Sequence, residues 1–149
     1  MTKFLDTTNL VFPAKSGSHG NRHFRTGRNR AVRTFQAGVA RHHERPSIRE
    51  SCSVSLLEAG IVLRARKGAQ SIPSLYRLAE EIGCQVVPFD QTQAKVAIAA
   101  FGRFGKGLGH RAQLNFGDCA VYALAALRGE PLLATGHDFR ATDLTVVPL

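Results

Sequence analysis

The sequence predicts an α/β fold, a three-layer domain in which a central, mostly parallel sheet is covered by helices. Three observations lead there. From residue 53 onward, segments with apolar residues at helical spacing alternate with short apolar or β-branched runs. Each segment is bounded by Gly, Asp or Pro at positions where those residues start or stop an element. A chain of 149 residues, 44% hydrophobic and 21% charged, is long and apolar enough to bury one real core. Helix–strand alternation of this kind requires crossover connections, hence parallel strands with helices packed on them.

The elements follow in order. "SVSLLEAGIVLRARKG" places Val54, Leu57, Ile61 and then Arg64 or Ala65 one turn apart, and Gly68 stops the helix. "SIPSLYRLAEEIG" has Ser71 as a cap, Pro73 in the first turn, Leu75, Leu78, Ala79 and Ile82 on one face, and Gly83 at its end. "CQVVPF" is a short β-branched run, read as a buried strand. "DQTQAKVAIAAFGRFG" opens on an Asp cap and carries Ala94, Ala97, Ile98 and Phe101 on one face. The polar, glycine-rich "KGLGHRAQ" is a loop. A helix "FGDCAVYALAALRG", a strand "PLLAT", a turn "GHDFRATD" and a last strand "LTVVPL" complete the chain.

Residues 1–50 obey none of this. They hold ten Lys/Arg against three acids, a surplus of seven, whereas residues 51–149 hold ten against eight. Scattered Arg, His, Ser and Gly from residue 13 onward show no period of two or 3.6. By composition, residues 1–50 are an atypical basic segment and 51–149 the folded domain. The net charge of +9 points to a polyanionic partner, and on this ground alone the chain could be a non-catalytic basic nucleic-acid-binding protein using an N-terminal arm. No apolar run is long enough to span a bilayer, and the N-terminus lacks the apolar core of a secretory signal, so the expected compartment is the cytoplasm, away from membranes. Cys52, Cys84 and Cys119 are far apart without a CxxC spacing, which argues for reduced thiols packed as small hydrophobes.

Two acids stand in unexpected places. Glu58 lies one turn inside an apolar helix between Leu57 and Ala59, where a carboxylate is costly unless paired or bound to a cation. Asp118 opens a helix that reads as buried on most sides, directly behind Gly117. Capping alone accounts for an isolated Asp there. Asn115 is as well suited to a turn as to positioning a carboxylate or RNA. Lys106, His110 and Arg111 are either solvated loop charges or phosphate contacts, and Tyr122 and Phe101 are most simply core.

"SLLEAGIVLRARKG", "VVPFD", "FGKGLGHRAQLNFGDCAVYALA" and "PLLATGHDFRATDL", in that order, closely resemble the VapC-type toxin ribonucleases of the PIN-domain family. The resemblance covers about residues 53–149. It implies a small α/β domain that cuts RNA with a divalent metal, Mg²⁺ or alternatively Mn²⁺, silenced by a cognate antitoxin of a type II module and commonly homodimeric. Matched by position, Glu58 and Asp118 take the places of the family's second and third metal-binding acids. The fourth falls at Asp138, with Asp143 and Asn115 as outer-shell partners; relatives often carry a further acid where this chain has His137. The chemistry is coherent, because Mg²⁺ wants hard oxygen ligands and a few carboxylates from separate elements suffice. A third possibility is a scaffold that binds antitoxin without cleaving RNA.

The family's first strand ends in Asp-Thr-Ser, whose Asp is the first ligand. Asp6, Thr7 and Thr8 imitate it, but Asp6 stands 52 residues before Glu58, a dozen or more too many. Back-translating residues 19–30, "HGNRHFRTGRNR", with suitable codons and reading one nucleotide later gives Met-Val-Ile-Asp-Thr-Ser-Ala-Leu-Val-Ala-Ile. That Asp overlaps Arg22 and His23, about 36 residues before Glu58. The reading that follows is an out-of-frame stretch over about residues 13–50, with the frame restored near Ser51–Ser55. The central first strand and one metal carboxylate are then missing, and the chain is expected to be irregular there and inactive as written.

Overall fold

The computed structural model describes residues 10–11, 49–135 and 137–148. Asp6, Thr7, Thr8 and residues 13–48 of the basic segment lie outside them. Five strands form one sheet in the order β3-β2-β1-β4-β5: β1 Leu10–Val11, β2 Arg49–Cys52, β3 Cys84–Val87, β4 Leu132–Ala134 and β5 Val146–Pro148. Helices α1 (Ser53–Lys67), α2 (Ile72–Glu81), α3 (Gln91–Phe104) and α4 (Phe116–Arg128) connect them. Both flanks are parallel as expected, β2 with β3 and β4 with β5. The centre departs from that pattern. There, β1 is two residues long and antiparallel to both neighbours, Val11 opposite Glu50 and Leu132, Leu10 opposite Leu133.

Alternation along β4 sorts the helices into two layers. Leu133 faces α2, packing with Leu78, Ile82, Cys84 and Val147. Leu132 and Ala134 face the other way, into the main core with α3, α4 and Phe139. That core is organised by α4, whose residues 117–125 are all buried. A helix buried all round needs small side chains where neighbours approach, and Ala120, Ala123 and Ala125 supply them. It ends on Gly129 in the left-handed conformation (φ 66°), which a glycine adopts without steric cost. Arg128 in its last turn holds Glu50 of β2 through two hydrogen bonds of 2.7 and 3.1 Å, and the guanidinium of Arg49 donates to the carbonyl of Ile82. These contacts tie β2 to the helices.

Four local expectations are corrected. On α3 the buried stripe is Gln93, Ala97, Ala100 and Phe104, while Ile98 is 74% and Phe101 40% exposed. Apolar residues surround this helix, so its spacing fits more than one stripe; the small ones turn inward because α4 lies close. Gln93 tolerates burial because its amide donates to the carbonyl of Pro88 at 2.7 Å. Strand β3 is not buried: it lies at the sheet edge with Gln85 and Val86 exposed. On α1, Leu57 and Ile61 point outward, and the buried residue is Ser55. Ser71 is no cap for α2; it sits in a 3-10 turn, Ala69–Ser71, and donates to the carbonyl of Gly68 at 2.6 Å. By contrast, Asp90 caps α3 as read, accepting from the Gln93 N–H at 2.8 Å, and Tyr122, Cys52 and Cys119 are core.

The two sides of this packing should behave differently on truncation. Leu124→Ala empties a fully enclosed position on α4 and should cost about 2–5 kcal/mol in urea unfolding. Ile98→Ala, at an apolar residue left mostly in solvent, should stay within about 0.5 kcal/mol. Equal losses would contradict the assigned face of α3.

Candidate active site

Glu58 and Asp118 come from helices distant in sequence and meet at Gly117. The first turn of α4 is closed by reciprocal hydrogen bonds. Asn115 is the N-cap residue, its Oδ1 accepting from the Asp118 N–H at 3.0 Å. Oδ2 of Asp118 accepts from the Asn115 N–H at 2.9 Å. This is a capping box with Asp in place of the usual Glu. The pattern "NFGD" carries that signal in sequence, and it assigns the cap to Asn115, three residues before Asp118. Asp118 is only 2% exposed, and its Oδ1 is buried with no hydrogen-bond partner among the described residues.

Glu58 reaches the same place from α1. A Cβ built on Gly117 would lie 2.5 Å from Glu58 Oε2, so the carboxylate occupies the space a side chain at 117 would fill. Glycine is required here for close approach, and the residue it admits is the other acid. Burial pushes the Glu58 carboxyl above its usual range. Asp118 is pushed up to about 6, chiefly by burial; the Asn115 N–H opposes this, and the charges of Asp138 and Glu58 add to it. Ser55, one turn before Glu58 on α1, is also buried with its hydroxyl unpartnered among the described residues. The inward face of α1 thus carries polar Ser55 and Glu58 along with Val54, while Leu57 and Ile61 are left outside.

Asp138 stands just before a short 3-10 turn, Phe139–Ala141, without a side-chain capping bond, and the turn is anchored by buried Phe139. Asp138 is exposed, and its charge is near enough to act on Asp118. Asp143 lies elsewhere. Its Oδ1 accepts from the Tyr122 hydroxyl at 2.7 Å and its Oδ2 from Arg103 at 2.9 Å. The reading of the sequence missed this trio, although Tyr122 follows Asp118 by four residues and so shares its face of α4. Among the described residues, no three His, Cys, Asp or Glu side chains come close enough to hold one metal ion. The Glu58–Asp118 pair is what the structure brings together.

The thiols offer no competing chemistry. Burial pushes Cys84 and Cys119 up to about 11 and raises Cys52 as well, so none is a thiolate at neutral pH. Beside the loop before α4, the Phe104 and Tyr122 rings meet at 5.5 Å, tilted by 51°, His110 meets Phe104 edge-on at 5.0 Å, and its Nδ1 accepts from the Ala112 N–H at 3.1 Å. Lys106 and Arg111 stand exposed beside it. No helix among the described residues is long and apolar enough to cross a membrane.

The sequence profile of the PIN domain matches residues 29–144, and so takes in part of the basic segment. Ribonuclease VapC28 of Mycobacterium tuberculosis is 46% identical over 97 residues, which is 65% of this chain and 73% of that protein. Ribonuclease VapC30 of the same species is 39% identical over 115 residues, 77% and 84% of the two chains. Ribonuclease VapC of Mycolicibacterium smegmatis is 41% identical over 100 residues, 67% and 77%.

Asp118 should leave a signature in stability. Its carboxyl has an ordinary value of 3.8 and rises to about 6 on folding. Between those limits the folded state therefore holds more protons than the unfolded one, and stability falls as pH rises from about 4 to 6. In EDTA, Asp118→Asn should remove this loss. At pH 7 the variant should be more stable than the parent by up to about 3 kcal/mol, with the two converging below pH 4. Urea midpoints across pH 4–7 decide it; a variant less stable at pH 7 contradicts a buried, uncompensated charge.

Proposed function

This chain belongs to the PIN domain family, and we propose that it is built as a divalent-metal endoribonuclease, the toxin of a type II toxin–antitoxin module. The observation that carries the reading is the Glu58 carboxylate resting on Gly117 beside the buried, unpartnered Oδ1 of Asp118. A helix start that buries a carboxylate oxygen without a hydrogen-bond donor is suited to a cation, and both donors are the hard oxygens that Mg²⁺ or Mn²⁺ prefers. Glu58 and Asp118 are the residues that would hold the ion, with Asp138, the fourth acid by resemblance, contributing charge from the exposed turn rather than a third ligand in this arrangement. Bound there, the ion would polarise a phosphodiester and orient an attacking water.

The chain's own groups have distinct parts in this. At pH 7 Asp118, with its carboxyl near 6, is mostly ionised and ready for a cation. The Asn115 N–H ties down one of its oxygens and leaves the other directed inward. Lys106 and Arg111, on the loop that leads into α4, are placed to meet the RNA backbone. Relatives that carry the name VapC ribonuclease support RNA as substrate and an antitoxin as partner. The outward Leu57 and Ile61 on α1 are apolar surface of the kind a second copy of the chain covers, which supports a homodimer. The three thiols without a disulfide fit a cytoplasmic setting.

The chain as written is further proposed to lack its first carboxylate. In support, among the described residues the centre of the sheet is Leu10–Val11, antiparallel to both neighbours. The proposed out-of-frame stretch is about residues 13–50, with the frame restored near Ser51–Ser55; the family match, over residues 29–144, overlaps its last part.

The gene's nucleotide sequence tests the frame directly: a shifted frame across codons 19–30 should encode Asp-Thr-Ser. The frame-corrected protein should cleave RNA in Mg²⁺ or Mn²⁺ and stop in EDTA. Glu58→Ala or Asp118→Ala should each lower the rate at least about 100-fold, and the chain as written should be comparably slow. Metal-independent, salt-sensitive nucleic-acid binding that disappears with residues 13–50 would instead favour a basic-arm binding protein.

A further inference from the structure

The start of α4 gives every residue a part except one. Asn115 and Asp118 exchange hydrogen bonds across the first turn, and Gly117 admits the Glu58 carboxylate. Leu114 before the cap and Cys119 after it are both buried in the main core, the pair of positions that commonly fixes how a chain enters a helix. Phe116, the first helical residue, does none of this. It is 75% exposed, more than any other large apolar side chain among the described residues. An aromatic is also a poorer helix former than alanine or leucine, so α4 gains nothing from it.

Single apolar residues on a surface are ordinary, but the neighbours of this one are not. The next residue, Gly117, carries the Glu58 carboxylate, and the one after it, Asp118, holds an enclosed oxygen without a partner among the described residues. On the other side lies a loop with a fixed shape. The Lys106 N–H donates to the Leu114 carbonyl at 2.9 Å, and the Leu114 N–H to the Phe104 carbonyl at 2.9 Å. Within the loop Gln113 adopts a left-handed backbone (φ 51°), uncommon for a residue with a side chain. Its amide donates to the His110 carbonyl and accepts from the Gly107 N–H at 3.4 Å, which braces that conformation. Lys106 is thus bonded through its backbone to a residue two before Phe116. Exposed Lys106 and Arg111, the exposed ring and the carboxylate pair follow one another from this loop into α4.

We propose that Phe116 is a stacking platform for one unpaired nucleobase of the RNA, beside the phosphodiester that meets Glu58 and Asp118, with Lys106 and Arg111 on neighbouring phosphates. This rests on the ribonuclease reading above and deepens it, by making single-stranded RNA the substrate class. Every base offers a π face to an aromatic ring, and cations beside such a ring follow the backbone. A base inside a duplex has both faces covered by its neighbours, so the ring selects unpaired segments, such as loops and ends. The capping box fixes the helix start, and the ring is therefore a fixed reference two residues from Asp118.

The chain contains no tryptophan, so Phe116→Trp puts a single indole at the contact, a signal that the basic N-terminal segment cannot imitate. The full chain is titrated in EDTA with labelled single-stranded RNA and with a duplex of the same length. Anisotropy reads binding, emission reads stacking, and circular dichroism checks the fold. Single-stranded RNA should quench the emission of Phe116→Trp to saturation, and the duplex should leave it unchanged. At about 0.3 M salt, where purely electrostatic binding is weakened, Phe116→Ala should bind single-stranded RNA about tenfold more weakly than the parent. Phe116→Leu, apolar without a π face, should behave like Phe116→Ala, and Phe116→Trp like the parent. Emission unquenched while anisotropy shows bound RNA, equal quenching by duplex, or unchanged affinity in Phe116→Ala overturns the stacking role and leaves the ribonuclease reading standing. So does emission that changes with protein concentration before RNA is added, which would place the ring against a second copy of the chain. No binding of single-stranded RNA by the parent at any salt overturns both.

Discussion

Asp118 has one oxygen committed to the Asn115 N–H and the other enclosed with no donor in reach, and the rest of the domain accommodates that charge. The helix it opens is the core of the protein, buried from Gly117 to Ala125. A solvated carboxylate could not sit there without disrupting the packing. The capping box turns part of the cost into local order, since two otherwise orphaned N–H groups find acceptors. What remains is an oxygen raised in pKa by burial and by neighbouring charge. A group held in that condition is more often functional than structural.

The same constraint explains why α1 faces inward with its polar side. Ser55 and Glu58 are directed at α4, while Leu57 and Ile61 are left in solvent. For stability alone the opposite orientation would serve better, because burying two large aliphatic side chains gains a few kcal/mol and burying a carboxylate loses it. Gly117 makes the chosen orientation possible: with any side chain at that position, Glu58 would be displaced. Fold and site are therefore not independent here. The packing of α1 on α4 is the assembly of the carboxylate pair.

Around this centre the sheet is unequal. Its flanks are regular parallel pairs, and its middle is a two-residue antiparallel bridge. Long-range ties compensate in part: Arg128 fastens the end of α4 to Glu50 of β2, and Arg49 fastens β2 to the end of α2. Both ties hold the strand next to β1 and link β2 to two helices besides its strand neighbours.

Much of this was legible in the sequence. Helix spans, the Asp90 cap, the glycine stops at Gly68 and Gly129 and the β4 and β5 strands follow from periodicity and from the φ/ψ preferences of single residues, which are properties of neighbours along the chain. Glu58 and Asp118 stood out as anomalies, a carboxylate in an apolar helix and one behind a glycine, but it was the family resemblance that assigned them together, since a solvated face and capping account for each alone. Tertiary structure decided which face of each helix turned inward. On α3 the apolar residues circle the helix, so only the closeness of α4 selected Ala97 and Ala100 over Ile98 and Phe101. It alone decided that β3 lies at an edge, that Gly117 shelters Glu58, and that Asp143 answers to Tyr122 and Arg103. Those are contacts between segments far apart in sequence, and no local pattern records which partner will arrive.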